Sequence, residues 1–119
     1  MKERILELEK SLFKKRYMSD KDWLENVIHN EFVECGKSGR FFYKNDTIEM
    51  LLSCDEDRDI LVYNYCYQQI SSDVYMVHYI TKSLDDLIYR TSIWVDDNGL
   101  KLRFHQASIL KEKVDLILC

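Results

Sequence analysis

The chain has 119 residues, with 17 Lys+Arg against 21 Asp+Glu and a formal net charge of −4 when its three histidines are neutral. At 46% hydrophobic and 13% aromatic it can bury the core of one domain spanning 1–119, which excludes disorder as the default state. The acidic balance and the lack of a basic run argue against nucleic acid or an anionic membrane as partner, and no apolar stretch nears the roughly 18 residues that a membrane span needs.

In chain order, Ile5, Leu8 and Leu12 recur at steps of three and four between Glu3 and Tyr17, with Leu6, Phe13 and Tyr17 widening the stripe, so the spacing predicts one amphipathic helix. Ser19 then caps a second helix, with Asp22 at the capping-box position and Trp23, Leu24, Val27 and Ile28 as its apolar side. A short strand over 31–35 ends at Gly36, and Lys37-Ser38-Gly39-Arg40 reads as a turn. A third helix starts at Asn45 or Asp46 and turns Ile48, Leu51 and Leu52 inward. Beyond the charged loop Asp55-Glu56-Asp57 the period becomes twofold. Strands are expected over 60–70, 74–81, 88–95 and 100–110, the last two joined by the hairpin turn Asp97-Asn98-Gly99. The order α-α-β-α-β-β-β-β indicates an α+β fold whose N-terminal helices pack on one face of a curved antiparallel sheet.

The start, Met1-Lys2-Glu3-Arg4, lacks the apolar block of a signal peptide, and cysteines 35, 54, 66 and 119 form no CxxC pair. The expectation is a soluble, cytoplasmic protein with free thiols, without metal or cofactor. Cys66 reads as a small buried hydrophobe rather than a nucleophile. His29 and His78 have no spaced partner for a metal. Tyr63, Tyr65 and Tyr67, on one face of their strand, together with Tyr75 and Tyr79, suit a protein interface better than a nucleic-acid groove.

The last hairpin permits a register argument. With Gly99 left-handed in a three-residue loop, Trp94 faces Leu102, and Arg90, Ser92, Phe104, Gln106 and Ser108 share that apolar face, while Ile93, Val95, Lys101, Arg103 and His105 lie on the other. A guanidinium directed at an apolar face needs a partner: Glu34, Glu31 or a bound anion. Two readings stand. Arg90 is half of a structural salt bridge, or Arg90 and Gln106 orient a polar group of a small molecule held by Trp94, Phe104 and helix aromatics.

Arg90-Thr91-Ser92-Ile93-Trp94-Val95, Asp97-Asn98-Gly99 and Leu100-Lys101-Leu102-Arg103-Phe104-His105-Gln106 together resemble the carboxy-terminal signature of the nuclear transport factor 2-like superfamily. The branch they resemble most is the one called domain of unknown function 4440, related to SnoaL-like proteins. Phe32 to Arg40 resembles that branch's first-strand motif, and Tyr79 falls where it has a tyrosine. The resemblance implies a cone-shaped half-barrel with an apolar cavity, in a homodimer formed through the sheet. Relatives range from isomerases, cyclases and dehydratases to binding or assembly modules, so it assigns no chemistry. For proton transfer, Glu34 is the candidate base and Tyr79 the candidate hydrogen-bond donor to a developing oxyanion. The leading expectation is a ligand-binding domain. The alternatives are a cofactor-free isomerase, cyclase or dehydratase, and a non-catalytic interaction module. His105 is expected at a surface or interface. Leu100 stands where relatives often carry tryptophan, and residues 110–119 extend past the matched region to cover a surface or reach a neighbouring subunit.

Overall fold

The structure, a computed structural model, describes all residues 1–119. Its elements are α1 (Lys2–Ser11), α2 (Lys15–Met18), α3 (Lys21–Val27), β1 (Ile28–Cys35), β2 (Phe41–Tyr43), α4 (Lys44–Leu52), β3 (Val62–Ser71), β4 (Val74–Ser83), β5 (Asp86–Asp96) and β6 (Leu100–Ile109). Six strands form one sheet in the order β2-β1-β6-β5-β4-β3. The helices fill its concave side, where Ile5, Leu8, Leu24, Ile48 and Leu51 join Val77, Tyr79, Trp94 and Leu102 in one buried cluster. The α+β class and the curved sheet are therefore as expected. One pairing is not antiparallel, because β1 runs parallel to β6. Reading strands in succession could not place β1 there, since α4 and four strands separate the two in the chain.

The first expected helix is broken. Ser11 turns its hydroxyl back onto the Glu7 carbonyl at 2.8 Å, Phe13 and Lys14 make tightened three-residue bonds to Lys10 and Ser11, and Lys14 is extended. Asp57, from the charged loop, accepts the Lys15 N–H at 2.6 Å and so starts α2 from a distance. The break also lets Phe13 accept the Arg58 N–H on its carbonyl at 2.8 Å. Asp20, not Ser19, caps α3: its carboxylate accepts the Trp23 N–H at 3.1 Å, while the Ser19 hydroxyl bonds back to Lys15. In α4, Asp46 lies inside the first turn and reaches back to the Tyr43 N–H at 2.9 Å, so that helix begins at Lys44, ahead of the expected start.

Two bulges decide which side chains face the helices. The hairpin pairs Asp96 with Leu100 and Trp94 with Leu102, and Gly99 takes φ +109°, as the three-residue loop requires. One step further the register slips, and Ile93 pairs with Phe104, leaving Arg103 as the extra residue. Arg103 is anchored across the strands, donating to the Glu31 carbonyl at 2.7 Å, beside the stretch between Ile28 and Val33 where β1 is also irregular. A second bulge in β3 centres on Asn64, at φ +53°, and separates Tyr63, paired with Ile80, from Cys66, paired with His78. Tyr63 thereby falls on the outer face, and Tyr65 and Tyr67 on the inner. There Tyr65 packs on Tyr79 and Tyr67 stacks on Tyr75. These inner tyrosines are core residues, not an interface row.

The tail folds back on its own chain. Leu118 bridges to Tyr63, Cys119 N–H donates to the Val62 carbonyl at 2.9 Å, and the Asn64 side chain accepts from Ile117 N–H and donates to the Asp115 carbonyl. It thus occupies the free edge of β3 over Val62 to Tyr65, a stretch that would otherwise be open to pairing with another chain. The four cysteines are free, and Cys66, expected to be buried, is exposed on the outer face because β3 ends its bulge out of phase with the expected alternation. No helix is long and apolar enough to cross a membrane.

Candidate functional site

Between the helices and the concave sheet lies a cavity of about 410 Å³, lined mostly by apolar side chains that include Leu12, Phe13, Phe42, Leu51 and Leu102. Its size is within the range of small-molecule sites. Glu34, Arg90 and Tyr79, three of the residues expected to form the site, line it. Two others do not. Phe104 and Gln106 lie beyond the Arg103 bulge, so both face outward; Phe104 pairs with Ile93, Gln106 with Thr91, and Gln106 is exposed. The same slip brings His105, expected on the outside, to the inner face opposite Ser92, together with Ala107 opposite Arg90. Trp94 is inward but fully buried behind the cavity wall.

Trp94 and Tyr79 there hold Glu9, a carboxyl inside the apolar stripe of α1. The Trp94 Nε1–H donates to Glu9 Oε2 at 2.7 Å, and the Tyr79 hydroxyl donates to Glu9 Oε1. Burial raises the Glu9 pKa above the usual carboxylate range, against hydrogen bonds from Tyr79, Ser92 and Trp94 and the charge of Arg90, which pull it down. Burial and the neighbouring Glu9 carboxyl push the Tyr79 phenol well above its ordinary value. With its proton given to Glu9, Tyr79 is not free to serve an oxyanion.

Arg90 forms no salt bridge. Its Nε–H donates to Thr81 Oγ1 at 2.8 Å, and Nη1 lies 3.4 Å from His105 Nε2. A guanidinium only donates, so Nε2 is the accepting nitrogen and the His105 proton sits on Nδ1, which faces Ser92 Oγ at 2.7 Å. Burial, then the charges of Arg90 and Arg58, depress the His105 pKa to about 3, which keeps the ring neutral. Glu31, a candidate partner of Arg90, pairs with Arg103 instead. Glu34 is half-buried on the cavity wall and has no ion-pair partner within 4.0 Å among the four salt bridges of the chain. Burial raises its pKa, the charges of Arg90 and Arg58 lower it, and Glu9 raises it.

Sequence reasoning missed Glu9, Phe13, Thr47, Arg58 and His105. Glu9 carried a signal, since it follows Leu8 on the stripe set by Ile5 and Leu12, where a carboxylate is out of place. Arg58 carried none, being one charge in a charged loop. It packs over Phe13, 5.1 Å from the ring centroid, while Arg90 lies 5.5 Å from the same centroid. No group of three or more His, Cys, Asp or Glu is placed to hold a metal ion.

No protein-family model matches the chain, and no curated protein matches it. Solved structures do. An NTF2-like protein from Cytophaga hutchinsonii superposes with a TM-score of 0.73 at 20% identity, over 91% of this chain and 97% of that one. A proposed ketosteroid isomerase from Parabacteroides distasonis gives 0.72 at 14% identity, over 93% and 89%. A proposed Ca/calmodulin-dependent kinase II association domain from Exiguobacterium sibiricum gives 0.60 at 17%, over 94% and 93%. At these identities the likeness establishes the fold, and that fold is the nuclear transport factor 2-like one. An isomerase and an association domain on one scaffold leave the activity to be argued from the site.

Proposed function

We propose that the chain is a small-molecule-binding domain whose ligand enters the cavity beneath the sheet. The observation that carries this reading is the 410 Å³ cavity itself, apolar over most of its lining yet with Arg58, Arg90 and Glu34 on its wall and no ion pair among them. A module that served only interaction would fill that space with its own side chains. The test is a ligand-observed NMR fragment screen on the whole chain, repeated with Ala107→Phe, whose fold is checked by circular dichroism. Fragments should bind the wild type and lose binding in the variant. No binder at millimolar concentration, or binding indifferent to Ala107→Phe, would count against the cavity.

A second reading, proton transfer, has one observation in its favour: Glu34, a half-buried carboxyl with a raised pKa and no ion pair, is suited to act as a base. Carbonyl compounds that bind should then exchange their acidic C–H with deuterated water, and Glu34→Gln should abolish that exchange. Binding is preferred because the expected oxyanion donor, Tyr79, is bonded to Glu9.

The outer face of the sheet supports a homodimer. Met76 and Ile93 pair across β4 and β5, Ile93 and Phe104 across β5 and β6, and all three are half-buried in the single chain. Light scattering at tens of micromolar should return twice the 14.4 kDa of one chain; the monomer mass would refute it.

A further inference from the structure

The chemistry of the ligand can be narrowed from the charges around it. Lys37, Arg58 and Arg90 line the cavity against two carboxyls, Glu9 and Glu34, so the lining keeps surplus positive charge even with both acids ionised, within a chain of net charge −4. Neither guanidinium has a carboxylate within 4.0 Å; the ion pairs of the chain join Arg4 to Glu7, His29 to Asp97, Lys44 to Glu25 and Arg103 to Glu31. Of the five N–H groups of Arg90, one is given to Thr81 and one to His105, while Arg58 donates only its backbone N–H. Glu9 cannot turn to meet them, because Tyr79 and Trp94 occupy its two oxygens. The like charges are near enough that Arg90, after burial, lowers the pKa of Arg58. Thr47, also on the wall, has a buried hydroxyl oxygen without any partner. Half-buried guanidiniums crowded over one ring, with donors unspent and no acceptor supplied by the protein, are arranged to receive an acceptor from outside.

We infer that the cavity takes a small organic monocarboxylate with an apolar body. The carboxylate lies between Arg58 and Arg90 beside Phe13, and the body rests against Leu12, Phe42, Leu51 and Leu102. This rests on the binding reading above and adds the ligand class. A carboxylate fits better than a phosphate because, with both acids ionised, the surplus is a single charge and the rest of the lining is mostly apolar, where a dianion would be poorly compensated.

The experiment is calorimetric titration of the whole chain with a matched pair, 4-phenylbutanoate and 4-phenylbutanamide. The acid should bind about tenfold tighter or better, as charge-assisted bonds to a guanidinium predict. Arg58→Gln, in a loop, and Arg90→Gln, in a strand, should each bring the two affinities to within about twofold, and inorganic phosphate should not displace the acid. If the amide binds as tightly as the acid, the cavity reading stands and the carboxylate inference falls. If neither binds, both fall. A preference for acid that survives in both variants places the carboxylate elsewhere, and displacement by phosphate assigns the site to a generic anion; either result overturns the inference.

Discussion

His105 should make the protein acid-sensitive over a defined range. Its folded-state pKa is about 3 against an ordinary 6.5, so between those values the unfolded chain holds a proton that the folded one refuses. Stability is thus fully present above pH 6.5 and is lost as pH falls toward 3. At about 1.4 kcal/mol for each unit, the loss reaches about 5 kcal/mol once pH falls to the folded value, and about 3 kcal/mol by pH 4. That is a large share of the 5–15 kcal/mol typical of a domain. Glu9 and Glu34 work with the opposite sign: their raised pKa values mean that the folded state takes up protons first, so acidification above their ordinary range relieves the cost of burying them. The quantity to measure is therefore the difference between wild type and His105→Gln, in which those terms cancel and the Gln oxygen can still accept from Arg90. Urea denaturation should find the variant less stable at pH 7, the gap closing and then reversing by pH 4. Parallel stability curves, or a His105 ring whose nitrogen shifts titrate near 6.5, would refute the reasoning.

Two further changes probe the polar groups under the sheet. Glu9→Leu leaves the Tyr79 hydroxyl and the Trp94 N–H buried without an acceptor and should cost about 2–6 kcal/mol by chemical denaturation; adding Tyr79→Phe should recover part of it, and an unaffected midpoint in the single variant would contradict the bonds described. Thr47→Val removes a hydroxyl that has no partner and should stabilise the unliganded protein by up to about 1 kcal/mol; a fall in melting temperature would mean that the hydroxyl is satisfied in solution.

The parts of the molecule that obey a period were legible in the sequence. The stripe of Ile5, Leu8 and Leu12, the turn at Asn98-Gly99 and the Trp94–Leu102 pairing all follow from local rules. What escaped depends on contacts between distant segments. Asp57 starts a helix some forty residues earlier in the chain, and Arg103 is drawn out of its strand by a carbonyl on β1. The candidate site divides along the same line. Arg90 was placed at the cavity by alternation and Glu34 by the need of a buried guanidinium for a partner, whereas Phe104, Gln106 and His105 were assigned to the wrong sides because alternation carries no record of an inserted residue. Arg58 reaches the site through a loop without period, where composition has nothing to say about direction.

The bulge at Arg103 has a genetic corollary. Removing that one residue would restore strict alternation along β6 without turning its wall, because Leu102 would be followed by Phe104 outward and His105 inward, the pairings they already have. A single-codon deletion here thus spares the pocket and gives up only the tie from Arg103 to Glu31, whereas a strand that kept the residue and lost the bulge would present Phe104 and Gln106 to the ligand in place of His105.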